Sequence, residues 1–205
     1  MKKKNILLLL TVVLVIIIVF YGFQGNDTDP AYANKILKAR EEKDRFMRTS
    51  PESPFAKAEG TFNGLRYFAP DARYRVVANL TPVENKKMVA LSTNDGKSQR
   101  YMEYAHATFS VDGVDCKLLI LEVMEMGPFR GKLFLAFGDE TSARETYGAG
   151  RYLDLNKVPG ATSITLDFNE AYNPYCAYDN TYSCPLPPTE NLLKVALKAG
   201  EKSYH

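Results

Sequence analysis

From about residue 61 the apolar residues of this 205-residue chain recur at every second position, and that period restricts the segment to β-structure. Tyr74, Val76, Ala78 and Leu80 alternate with mostly polar neighbours. Strands are expected at 87–92 and 99–110, joined through Asn94-Asp95-Gly96, because Asx-Gly pairs accept the positive φ of a tight hairpin. Asp112-Gly113 repeats the signal ahead of 116–125, where both faces are apolar and the strand should be central. Gly127 to Gly131 turns the chain into 132–137, with further strands at 151–155 and 163–168. Short strands with close turns predict a mainly β fold, an antiparallel barrel or sandwich. Residues 190–200 read two ways. Leu193, Val195 and Leu197 alternate as in a strand, while Thr189 and Gly200 suit the ends of a helix.

The N-terminus carries a different pattern. Ile6 to Phe23 is an apolar run of 18 residues broken only by Thr11, Tyr21 and Gly22. As a helix it would span roughly 27 Å, near the hydrocarbon thickness of a bilayer. Lys2, Lys3 and Lys4 precede it, so the positive-inside rule keeps residues 1–5 cytoplasmic and sends the rest across. The reading is a single-pass membrane anchor at 6–23, a tether at 24–30 and an extracytoplasmic helix plus β-domain at 31–205. A cleaved signal peptide is the alternative, since Ala31-Tyr32-Ala33 has the small-x-small form of a cleavage site. That would leave the protein secreted or periplasmic. Asp29 and Pro30 suit the N-cap and first position of an amphipathic helix from Ala31 to about Arg48, with Ile36, Leu37, Phe46 and Met47 on one stripe. Thr49-Ser50-Pro51 ends it.

Composition narrows the partners. The 45% hydrophobic content excludes wholesale disorder. The net charge of +2 belongs to the first residues, since Lys2–Lys4 supply three of 26 basic side chains against 24 acidic ones. The rest has no positive field for nucleic acid. The bilayer is the expected partner of residues 6–23, with a small-molecule or envelope partner left open.

Two stretches are distinctive. One runs from Phe137-Gly-Asp139-Glu-Thr141 through Glu145-Thr146-Tyr147 to Gly150-Arg151-Tyr152-Leu153. The other is Asp167-Phe168-Asn169-Glu-Ala171-Tyr172-Asn173-Pro174-Tyr-Cys176-Ala-Tyr178, continuing through Cys184-Pro185-Leu186-Pro187-Pro188 to Glu190-Asn191 and Ala199-Gly200-Glu201. Together they resemble the signature blocks of an uncharacterised bacterial family, domain of unknown function 1684, over most of residues 40–202 and in its shorter form. The resemblance implies a β-rich domain and a strand-like C-terminal segment, and brings no activity or cofactor with it.

Asp139, Thr141, Glu145, Tyr147, Arg151, Asp167, Asn169 and Asn173 form the candidate polar pocket. Asp167 and Asn169, two apart, would share a strand face, and Arg151 is a natural partner for either acid. The group reads either as a hydrogen-bonded lattice bracing loops or as a ligand pocket. Catalytic residues stay unassigned, and the rival reading is a hydrolase-like enzyme around Asp139, Arg151, Asp167, Asn169 and Cys176. His106 is compatible with a base for the Cys176 thiol, but its strand face, shared with Met102 and Tyr104, favours a half-buried sheet residue. Tyr172, Tyr175, Tyr178 and Tyr182 could make a platform for sugar or peptide. Cys176 and Cys184 enclose seven residues. An exported disulfide there would add roughly 2.5 kcal/mol by loop entropy. The resemblance keeps reduced thiols open, because relatives without an export signal hold a similar pair. Cys116 reads as a buried apolar residue. No ligand set for zinc and no cofactor motif is present.

Overall fold

The computed structural model describes residues 28–56 and 62–205. The basic end, the apolar run 6–23 and most of the tether lie outside the described residues, and no helix among those residues is long and apolar enough to cross a membrane. Helix α1 (Pro30–Thr49) starts where the sequence places it, with the Asp29 carboxylate accepting from the Ala31 N–H at 3.0 Å and proline in the first turn. Its inward face differs from the expected stripe. Ile36, Arg40 and Met47 are buried while Leu37 and Phe46 stay outside. Arg40 turns inward because backbone carbonyls await it, Phe68 O at 2.7 Å and Asn169 O at 3.2 Å, with the Tyr67 ring beneath its guanidinium.

Seven strands follow: β1 (Arg75–Pro82), β2 (Met88–Ser92), β3 (Ser98–Val111), β4 (Val114–Val123), β5 (Leu133–Phe137), β6 (Arg151–Leu155) and β7 (Ser163–Asp167). All pairings are antiparallel, in the order β6-β5-β4-β3-β1-β7. The 14-residue β3 holds β1 along one stretch of an edge and β2 along another. The ladder of β3 with β4 shifts between Glu103 and Ala105, a bulge that bends the sheet. The result is one antiparallel sheet curled into a half-barrel. A sandwich would need a second packed sheet, and among the described residues all seven strands share one.

Side chains alternate between two buried faces. The concave core contains Ala78, Leu80, Ala107, Leu118, Ile120, Leu135, Phe137 and Leu166. Leu91, Tyr101, Leu119 and Leu121 point the other way, against Phe134, and Ala136, Tyr152, Cys176 and Cys184 extend that outer layer. Strand β4 is therefore apolar on both sides, as read. Hairpin turns also fall as read, with positive φ at Gly96, Asp112 and Gly113.

The C-terminal segment is neither helix nor ladder strand. After a single 3₁₀ turn at Thr189–Asn191 it runs irregularly, burying Leu193, Val195, Leu197, Ala199 and Glu201 on alternate positions. Its hydrogen bonds go to separate elements, Leu193 N–H to Gly138 O and Glu201 N–H to Ala171 O. Asn191 closes the sheet where β4 and β5 diverge. Its amide accepts from Leu119 N–H at 2.7 Å and donates to Leu119 O and Ala136 O at 2.9 and 2.8 Å, standing in for a peptide unit.

Candidate functional site

The polar residues singled out in the sequence divide among three lattices. In the first, Arg151 at the start of β6 meets Asp139 just beyond β5, Nη2 to Oδ2 at 2.8 Å, each side chain about 1% exposed. Asp139 Oδ1 accepts from Thr141 N–H (2.8 Å), Thr141 Oγ1 (2.6 Å) and Leu197 N–H (3.3 Å). Arg151 also donates to the carbonyls of Leu197, Ala199 and Glu201. Burial pushes the guanidinium pKa down and the Asp139 charge opposes that shift. These contacts hold the C-terminal segment on the half-barrel. Glu145 lies at the surface against Lys198 at 3.2 Å, and Tyr147 donates towards Cys176 Sγ at 3.8 Å.

The second lattice joins Asp167, the last residue of β7, and Asn169, in the 3₁₀ turn that follows it, to helix α1. Tyr32 O–H donates to the Asp167 carboxylate at 2.8 Å, and Asn169 Nδ2 donates to Asp167, Asp71 O and Tyr32. Arg75 reaches Asp167 at 3.6 Å. Asn173 belongs to the third, centred on Glu201, an acid outside the candidate set. The Glu201 carboxylate accepts from Lys43 Nζ (2.8 Å), Asn173 N–H (3.2 Å) and Nδ2 (3.1 Å), and from Tyr178 O–H. A signal for Glu201 existed: alternation through 193, 195, 197 and 199 puts 201 on the inward face.

A wide concavity lies elsewhere, on the outer face. A trough of about 1050 Å³ runs between the loop 124–131 and the chain after residue 170. Its aromatic walls are Tyr101, Phe134, Tyr152, Tyr172, Tyr175 and Tyr182. Exposed Asp154 and Asn156 stand beside them, and Tyr172 O–H fixes Asp154 at 2.9 Å. On the rim, Met126 is 83% exposed and Phe129 62%. A smaller cleft of about 380 Å³ separates the facing edges of β6 and β7, with Asp167 and Arg75 at one end.

A family model for a protein of unknown function (DUF1684) matches residues 60–202. The chain belongs to the DUF1684 family. The solution NMR structure of an uncharacterised protein of Haloarcula marismortui, 37% identical, matches the DUF1684 chain with a TM-score of 0.64, covering 85% of this chain and 97% of that one. No curated protein matches it.

Within this DUF1684 domain the four tyrosines of the Pro-rich stretch split. Tyr172, Tyr175 and Tyr182 line the trough, whereas Tyr178 turns away to Glu201 and packs against Phe55 and Tyr204. Cys176 and Cys184 stand as adjacent thiols, with Cys176 N–H donating to Cys184 Sγ at 3.3 Å. Cys116 is buried in β4, as read. His106 is half-buried on β3 and meets Glu190 at 3.3 Å. No cluster of three or more His, Cys, Asp or Glu able to hold a metal ion occurs among the described residues.

Proposed function

We propose that this DUF1684 protein is a membrane-anchored envelope protein whose β-domain binds, without catalysis, a neutral saccharide segment in the tyrosine-lined trough. The single observation that carries the binding reading is the exposure of half-buried rings, Tyr172, Tyr175 and Tyr182, beside polar Asp154 and Asn156. A sugar presents an apolar C–H face to an aromatic ring and hydroxyls to neighbouring carboxylates and amides, so such a wall matches it. The anchor rests on Lys2–Lys4 and the apolar run 6–23, as does the extracytoplasmic placement of the domain. The buried groups argue for scaffold. Asp139, Arg151, Asp167, Asn169 and Cys176 are spread over separate neighbourhoods and held by fixed partners, which disfavours a hydrolase built on them.

Two experiments test this. A C-terminal fusion to a reporter active only outside the cytosol should be active; activity only of a cytosolic reporter overturns the topology. Calorimetric titration of the purified chain with soluble neutral oligosaccharides should give saturable binding weakened by Tyr175→Ala. Binding of extended peptides instead, displaced by no sugar, overturns the ligand class.

A further inference from the structure

The two cysteines of the outer layer are carried by separate elements. Cys176 sits in the 3₁₀ turn Tyr175–Ala177, whereas Cys184 is fastened to the hairpin between β2 and β3. Cys184 N–H donates to Asn94 Oδ1 at 2.7 Å, Asn94 N–H donates back to Cys184 O at 3.1 Å, and two residues on Leu186 N–H reaches Ser92 O at 2.7 Å. Chain 177–183 spans between two fixed points, and the Cys176 N–H reaches the Cys184 sulfur at 3.3 Å, so the two cysteines are side by side without closing a loose loop. Their surroundings differ. Cys184 lines the trough, and Cys176 lies behind it with the Tyr147 hydroxyl at 3.8 Å.

From this geometry we propose that Cys176 and Cys184 form a thiol–disulfide exchange site, with Cys184 the attacking and Cys176 the resolving sulfur, taking a low-molecular-weight disulfide that enters through the trough. Donation from the Cys176 S–H and N–H holds the Cys184 thiol below its ordinary pKa, while the same contact and burial push Cys176 up. The Cys184 thiolate attacks one sulfur of the disulfide RSSR. That S–S bond breaks, a mixed disulfide forms on Cys184, and RS⁻ leaves and takes a proton from water. Cys176 then gives its proton to solvent and attacks the Cys184 sulfur, expelling the second thiolate. Two protein thiols are oxidised to one disulfide and RSSR is reduced to two RSH. The site stands apart from the saccharide reading, since the trough serves here only as the route of entry.

The test uses the reduced full chain in mild detergent with oxidised glutathione as the probe. Peptide mapping should find a single internal disulfide, 176 to 184, with Cys116 still free. Cys176→Ser should trap a glutathione adduct on Cys184, and Cys184→Ser should form an adduct on Cys176 at least about tenfold more slowly. Should either variant fail to fold, timed alkylation of the wild-type chain by iodoacetamide replaces it. Cys184 is then expected to react at least about tenfold faster than Cys176 or Cys116. Oxidation that never joins 176 to 184 overturns the site, and a faster Cys176 overturns the assignment of roles.

Discussion

Arg151 and Asp139 meet at 2.8 Å with neither side chain open to water, and the same guanidinium holds three carbonyls of the C-terminal segment. This pair makes an otherwise irregular segment part of the fold. Removing one member leaves the other charged and buried. Asp139→Ala should therefore destabilise the domain by about 3–5 kcal/mol, and Arg151→Ala similarly. Chemical denaturation of each variant checks this. Near-wild-type stability in both would show that the lattice does not brace the segment.

Asn191 offers a sharper local test, because its amide replaces ladder bonds where β4 and β5 separate. Asn191→Leu would keep the volume and orphan Leu119 N–H together with two carbonyls. A loss of about 2–4 kcal/mol is expected, since each stranded buried group carries its desolvation penalty. Amide exchange should report it first at Leu119, whose N–H loses its acceptor.

Gly200 has φ +73°, and a Cβ there would come within 2.6 Å of both Ala171 O and Phe168 O. Backbone cannot yield as a flexible side chain can. Gly200→Ala should destabilise the domain by more than the roughly 1–2 kcal/mol of a left-handed alanine in open space, read by chemical denaturation. A loss no greater than that would mean the segment is looser than the structure draws it.

The fold was legible where local chemistry decides it. Period-two alternation placed the strands, Asx-Gly pairs placed two hairpins, and Asp29-Pro30 placed the helix start. Curvature into a single half-barrel was not legible, because it depends on a bulge at Glu103/Ala105 and on pairing between distant strands. The polar set was recognisable as distinctive, and its division into three lattices was not. Asp139 and Arg151 meet each other, whereas Asp167 meets Tyr32 from the far end of the chain. Arg40 shows the same limit. A charged residue reads as surface until the carbonyls that receive it are known.

Buried phenols make the domain sensitive to alkali. Burial raises the pKa of Tyr152 and Tyr172 well above the ordinary 10.0, and desolvation with the Cys176 contact brings Tyr147 up to about 12. A raised folded pKa means this stability is complete below pH 10 and is lost as the unfolded chain ionises above it, over pH 10 to 12 for Tyr147. The buried Tyr152, protonated only in the folded state, removes about 1.4 kcal/mol per pH unit in that range, and the half-buried Tyr147 and Tyr172 remove less because solvent screens them. Thermal melts from pH 8 to 11.5 should show a plateau and then a steep fall, with tyrosinate absorbance appearing together with unfolding. Free ionisation of these phenols in the folded chain at pH 10 would contradict their burial.

Saccharide binding in the trough is tested most directly by its own tyrosines. Titrating neutral oligosaccharides into the wild-type chain and into Tyr182→Ala, with a melting curve for each, separates binding from bracing. Affinity should be at least about tenfold weaker in the variant, a loss near 1.4 kcal/mol, with a melting temperature close to wild type. An unchanged affinity in Tyr182→Ala and also in Tyr175→Ala, with both folded, would contradict it.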